Sequence, residues 1–492
     1  MKRLLLLLIL FSVVAHAQYT TPNNGESITL SDLLLVEPAI ITLSDTDEYT
    51  LTSDLIISAN DTLLIDQPTT LYINPEILVT IFGTWISSSP DAEAPILITA
   101  QDVNNPHEGF RFEEGSDSYF NLTNFEYGGG LRVLSTNFRM SNCAVKYQFA
   151  GQATASAISF SRGAPEITNS YFFQNDLPAI SSGANQSVAI KFIGNTLEYN
   201  GQTNSNRPQI NMSPSGANDT IVIENNIILG DRTLSNVGGI AVSNFFGSTN
   251  HVIIKNNQIT DNRYGLTLVG AVDYAEVDNN IIEFNNTQGN PNLGGSGINL
   301  NASGSSISQN IYVKNNIISN NLWGITMQGT AYANLGDGTE LSPGGNIFSD
   351  NGFEGVVYAL YNNTPNDIFA QGNCWIAGQE STEEEVAEVI TDQSDIAGLG
   401  LVDYANYGCN LSVGDIALSP SVQLYPNPAK NFIVLDVPEN GHVEFYNQLG
   451  QIVHKVNLTS GKNEIQIQLN SGLYYLKITT SSKPLLKKLL IK

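Results

Sequence analysis

The sequence is 492 residues long, enough for more than one domain, and sets 21 Lys+Arg against 47 Asp+Glu for a formal net charge of −26. So acidic a chain is excluded from unaided binding to nucleic acid or to an anionic membrane. The charge suits solubility in a salty exterior, or Ca²⁺, which prefers carboxylate and carbonyl oxygens.

At the N-terminus, Lys2 and Arg3 precede an apolar run from Leu4 to Leu10 that continues to Val14, followed by Ala15-His16-Ala17. That pattern predicts a secretory signal peptide over residues 1–17, cleaved after Ala17 to leave Gln18 first. No later stretch reaches the roughly 18 apolar residues that a bilayer crossing needs. The charge is unevenly spread. Residues 18–412 carry 11 Lys+Arg and 42 Asp+Glu, whereas residues 413–492 carry 8 and 5.

Residues 18–100 supply short strands such as TLTSDLII, TLLID, TTLYIN, LVTIFGTWIS and PILITA. Beyond them a motif recurs, clearest as KNNIISNNLWGITM from Lys314, with relatives at Glu224, Lys255, Asp278 and Gly344. Its anchor asparagines are Asn124, Asn142, Asn169, Asn195, Asn226, Asn257, Asn280, Asn316, Asn346 and Asn373, spaced 18 to 36 residues apart. Such spacing predicts coils with a constant core of β-branched strands and loops of varying length; no 3.6-residue periodicity competes. One coil cannot bury its apolar face, but stacked coils can. Each anchor Asn is expected at a bend, with amides hydrogen-bonded up and down the column at about 4.8 Å per rung. Residues 101–375 therefore resemble the right-handed parallel β-helix of pectate-lyase-like proteins, about ten coils here, with 18–100 as an N-terminal cap and first coils.

Three further columns follow from that register. Five past the anchors lie Asn200, Asp231, Asn262, Asn285, Asn321 and Asn351, read as a second set of bends. Two before them lie Glu224, Lys255, Asp278 and Lys314, an outward ladder of alternating sign that sets register. Seven past them lie Tyr264, Trp323 and Phe353, which are candidates for contact with sugar rings or for packing under a loop.

A segment at 376–410 resembles the exit cap of the same family, with Ser381 and Glu384 as the capping box of a short helix near 382–391. A helix there would cover the open strand edge. Cys374 and Cys409 bracket this segment and are the expected disulfide, permitted by an oxidising exterior. Cys143 is left over, in a strand-like setting that suggests a buried, inert thiol.

After a linker at 411–420, residues 421–492 carry Tyr425-Pro-Asn-Pro428, Asn447-Gln-Leu-Gly450, Ser471-Gly-Leu-Tyr474 and the basic Lys487-Lys488 strand. These motifs resemble the type A C-terminal sorting domain of type IX secretion cargo, a small Ig-like β-sandwich. The resemblance implies export to the outer surface of a Gram-negative bacterium. It also implies engagement of the type IX machinery and removal of the domain by a sortase-like peptidase.

Catalytic parts are hard to assemble. There is no Asp-Asp pair, nucleophile elbow, phosphate loop, Cys-x-x-Cys or His-Glu-x-x-His. Between the two end signals lie only two histidines, His107 and His251. A lyase needs a base and a cation beside a uronate carboxyl, and the cations Lys191, Arg207, Arg232, Lys255, Arg263 and Lys314 read as solvated charge. The acidic clusters Glu113/Glu114/Asp117 and Glu383/Glu384/Glu385/Glu388 lack EF-hand spacing, so no metal or other cofactor is assigned. The expected function is a non-catalytic surface protein that binds extracellular polysaccharide or serves a structural or adhesive role. The alternative is a polysaccharide lyase or related carbohydrate-active enzyme on the β-helix flank.

Overall fold

A computed structural model describes residues 18–151, 154–217, 219–303, 310–409, 423–425, 429–437, 439–447, 451–470, 472–479 and 485–491. The signal segment, the linker, and most of the Pro-Asn-Pro and Gln-Leu-Gly motifs lie outside those residues. The chain divides into two compact units, Met1–Cys409 and Asn410–Lys492.

In the first unit a typical coil lays one strand in each of three sheets, paired in parallel apart from one hairpin and called A, B and C in the order the chain visits them. One coil runs Gly238–Asn244 in sheet A, His251–Lys255 in B and Gln258–Thr260 in C. The sheets hold 14, 11 and 13 strands respectively, so this parallel β-helix is longer than the ten coils that the asparagines mark. The stack reaches back to Gln18–Thr20, which pairs with the strand Asp54–Ile57.

Side-chain alternation explains why these segments are strands. His251–Lys255 alternates between half-buried and buried positions, turning Val252 and Ile254 inward. Register then stacks like on like, as in Ile223–Ile254–Val277–Val313. The early coils fill the same interior with rings. Trp85 is fully buried and lies 5.3 to 6.3 Å from Phe110, Phe112, Phe120 and Phe125.

Both ends are covered. At the N-terminal end, the antiparallel hairpin Ile41–Asp45/Glu48–Leu51 joins helix α1 (Leu30–Val36), capped by Thr29 and Asp32. Beside it, the buried Asp61 carboxylate accepts backbone N–H groups of Asn23, Asn24, Gly25 and Glu26 at 2.7 to 3.3 Å. At the C-terminal end, helix α2 (Glu383–Glu388) has its capping box one residue later than expected. Thr382 and Glu385 form it, and the Ser381 hydroxyl is left without a partner. Cys374 and Cys409 are disulfide-bonded. Cys143 is free and buried, and burial pushes its thiol up to about 12.

The second unit pairs the three-stranded antiparallel sheet Gln423–Tyr425/Phe432–Val437/Gly461–Gln466 with a four-stranded one. The latter orders Ile452–Leu458, Gly441–Tyr446, Gly472–Thr479 and Leu485–Ile491. Ile433, Leu435, Val443, Phe445, Leu476 and Leu489 share its core.

Candidate functional site

The bend from sheet B to sheet C is a single left-handed residue. Asn225, Asn256, Asn279 and Asn315 hold φ of 55° to 58° there, and Gly345 and Gly372 take the same place. Asparagine tolerates that conformation because its short amide bonds locally. The next residue turns its amide inward. Asn195, Asn226, Asn257, Asn280, Asn316, Asn346 and Asn373 form a buried column in which each amide donates to the next side-chain carbonyl, at 2.9 to 3.2 Å. Each of those carbonyls also accepts the backbone N–H of the preceding rung, as from Asn226 to Asn257 at 3.0 Å.

Asn124, Asn142 and Asn169 are not in this column. Asn142 and Asn169 occupy the left-handed bend itself, at φ 52° and 48°, and are exposed. Asn124 is a strand residue opposite Ala144. The early rungs are Thr123, Cys143 and Ser170, whose small polar groups continue the chain of bonds: Cys143 N–H to Ser170 Oγ at 3.2 Å, and Ser170 N–H to Asn195 Oδ1 at 2.9 Å.

A second buried amide column follows the bend after sheet C: Asn175, Asn200, Asn262, Asn285, Asn321 and Asn351. Asp231 is not part of it, since its carboxylate accepts from Thr233 in the loop. Gln209 reaches in from sheet A to bridge the gap, accepting from Asn200 and donating to Asn262, each at 3.0 Å.

The charged residues do pair in register across sheet B, Glu224 with Lys255, Lys255 with Asp278, and Asp278 with Lys314. Their ion pairs run only partly along that ladder. Lys255 Nζ contacts Glu276 closely and stands 3.9 Å from Asp278, and Lys314 Nζ stands 3.9 Å from Glu276. Glu276, two residues upstream of Asp278, is the hub that the sequence reading missed. Burial opposes its ionisation, but Lys255 and Tyr274 outweigh it and hold its carboxyl below the usual range.

The aromatic candidates are not one column. The Tyr264 ring lies on Gly238, where even a Cβ would stand 2.2 Å from the ring, and burial pushes its phenol up to about 12. Trp323 is two strands further along sheet A, with Ser296 between, and packs against Tyr358 at 4.3 Å and Tyr361 at 5.4 Å. Its indole N–H donates to Pro291 O at 2.9 Å. Phe353 leaves the coil in the side hairpin Gly352–Phe353/Val356–Val357, and Tyr358 takes the place expected for it.

Sheet A carries the other feature of note. Its outward strip runs Arg111, Arg132, Ser159, Ser181, Asn211, Ala241, Thr267, Asn299, Thr326 in register. The two arginines are neighbours on adjacent strands, about 4.8 Å apart along the axis. Arg111 pairs with Glu113. Arg132 is half-buried and has no hydrogen-bond or ion-pair partner among the described residues, and the Ser159 hydroxyl beside it is buried and unpartnered. Arg162, paired with Glu114, lies one strand away. At the sheet edge His107 is buried against Gly128; its Nδ1 accepts the Gly109 N–H at 3.1 Å, and burial pushes it down to about 4, so it is neutral. The described residues contain no group of three or more His, Cys, Asp or Glu able to hold a metal ion.

Residues 423–492 match the family described as "Secretion system C-terminal sorting domain", so the chain carries a type IX sorting tail and is exported to the cell surface or beyond. Residues 273–378 match "Protein of unknown function (DUF1565)". No curated protein matches the sequence. Among solved structures, the periplasmic alginate epimerase AlgG and an aspartate-to-alanine mutant of it match at 12% identity. Each match covers 77% of this chain and 80% of theirs, with TM-scores of 0.30 and 0.32. No described helix is long and apolar enough to cross a membrane.

Proposed function

We propose that this exported protein holds anionic extracellular polysaccharide along the outer face of sheet A, without catalysis, and that its tail engages the type IX machinery and a sortase-like peptidase. The observation that carries the first part is Arg132. In a segment with 11 basic and 42 acidic residues, a guanidinium without a carboxylate partner sits next to Arg111 on an otherwise uncharged strip. A planar, always charged fork of N–H donors is matched to a sugar carboxylate. Further along the strip, the half-buried amides of Asn211 and Asn299 offer polar contacts to further sugar units. His107 does not supply a base to this face, because its side chain is buried.

Affinity electrophoresis of the full chain in alginate and in polygalacturonate tests the reading. Wild type should be retarded by at least one of them, less so as salt rises. Arg132→Ala should weaken binding by about tenfold, the equivalent of one charge-assisted hydrogen bond. Equal retardation of wild type and variant would sink the site. New ultraviolet absorbance from unsaturated chain ends would sink the non-catalytic reading instead.

A further inference from the structure

From the strand Thr123–Glu126 onward, the residue after most strands of sheet C makes a left-handed bend. Asp261, Asn320 and Asp350 hold it at φ 59°, 56° and 54°, as short polar side chains do at little cost. Three coils place tyrosine there instead, Tyr127, Tyr147 and Tyr199, at φ 54°, 55° and 58°, and two others place Gln174 and Phe284, at φ 47° and 57°. For a bulky residue that conformation is an outlier costing roughly 1–2 kcal/mol. The bend does not require a ring, so the cost calls for a reason outside the backbone.

The rings form a half-buried aromatic surface on the outer face of sheet C. Tyr127 and Tyr147 stack at 4.8 Å and 15°, and Tyr147 meets Phe173 at 5.6 Å. Phe173 in turn lies 5.6 Å from Tyr171 and 6.1 Å from Tyr199. Polar groups stand among them. Lys146 pairs with Glu126 at 2.6 Å, and the Tyr171 hydroxyl donates to Glu198 at 2.7 Å. Strand register puts Glu126, Lys146, Phe173 and Glu198 on four successive rungs, a span of about 14 Å.

We propose that this face is a second glycan site, which takes a neutral sugar chain on the ring cluster of Tyr127, Tyr147, Phe173 and Tyr199. Aromatic carbon surface is what the C–H groups of a pyranose pack against. Glu126 and Glu198 accept hydrogen bonds from sugar hydroxyls, and Lys146 donates one. Two carboxylates against one ammonium repel a uronate, so the site selects against the ligand of sheet A. The strained tyrosines hold their rings at the sheet margin, at a cost that Asp261, Asn320 and Asp350 avoid in their coils.

The competing account is that the rings only lock adjacent coils. Tyr147→Asn and Tyr199→Asn separate the two, because asparagine suits the bend and removes the ring. The full chain is run in affinity gels containing laminarin, xyloglucan or galactomannan, and each variant is melted alongside. Wild type should be retarded by at least one of these. Each variant should lose that retardation at least tenfold, keep or raise its melting temperature, and still bind alginate or polygalacturonate as wild type does. Absence of wild-type retardation in all of these glycans overturns the proposal. So does retardation that survives both substitutions, or a fall in melting temperature with binding intact. Arg132→Ala should leave the neutral-glycan result unchanged, so the two sites fail separately.

Discussion

Asn280 is 1% exposed, and its amide sits at the middle of the inner column. Its Oδ1 accepts the backbone N–H and the side-chain amide of Asn257, both at 2.9 Å. Its Nδ2 donates to Ile254 O and Asn316 Oδ1, both at 2.9 Å. Asn280→Ala strands the Asn257 backbone N–H in the interior. The Asn257 amide keeps Ile223 O, and Asn316 Oδ1 keeps the Asn280 N–H. One stranded buried donor costs about 1–3 kcal/mol, and each of the three further bonds lost about 1 kcal/mol, for a total of about 4–6 kcal/mol. Asn279, one residue earlier, is the internal control: it is exposed at φ 55°, with one side-chain bond to Asn256. Asn279→Ala should cost only about 1 kcal/mol, the penalty of a Cβ in the left-handed region. Urea unfolding followed by circular dichroism gives both values. If the two substitutions shift the midpoint equally, the buried amide column is not what holds adjacent coils together.

The remaining predictions concern the two ends. Burial opposes ionisation of Asp61, but the Thr21 hydroxyl and the backbone N–H groups of Asn23, Gly25 and Glu26 outweigh it and hold its carboxyl below the usual range. Its folded value is thus lower than its unfolded one. The stability it contributes should be present above about pH 4 and be lost as pH falls through the lower folded value. Asp61→Asn should flatten the acid limb of a melting-temperature profile, and an unchanged limb would refute the link. At the other end, the disulfide joins residues 35 apart, a loop whose closure is worth about 4 kcal/mol. Reduction, or Cys374→Ser with Cys409→Ser, should make residues 376–408 exchange amide hydrogens faster while the central coils stay protected. Equal protection with and without the bond would count against it.

The β-helix was legible because paired asparagines recur wherever one must bend and its neighbour must bond inward. The same logic explains why the early coils were misregistered. Thr123, Cys143 and Ser170 fill the rung with small polar groups, so only the exposed bend residues Asn142 and Asn169 caught the eye. Gln209 was invisible to a fixed offset because it enters from another sheet on a longer side chain. Phe353 was misplaced because an antiparallel excursion over Gly352–Val357 interrupts the coil and hands its position to Tyr358. Glu276 escaped because both lysines reach diagonally across the sheet to it, as well as up the ladder from Lys255 to Asp278. Arg132 carries no motif at all; only strand register shows that it stands beside Arg111 and lacks a carboxylate.

The Cys374–Cys409 bond also decides how a tethered molecule would carry mechanical load. Hydrogen bonds between stacked strands run along the solenoid, so a pull applied through residue 410 would peel coils off singly, beginning with the last. The sulfur bridge diverts that pull from Cys409 straight into Cys374, the neighbour of the buried Asn373. Helix α2 and the rest of the intervening lid are then bypassed, and remain slack while the stack behind them bears the tension.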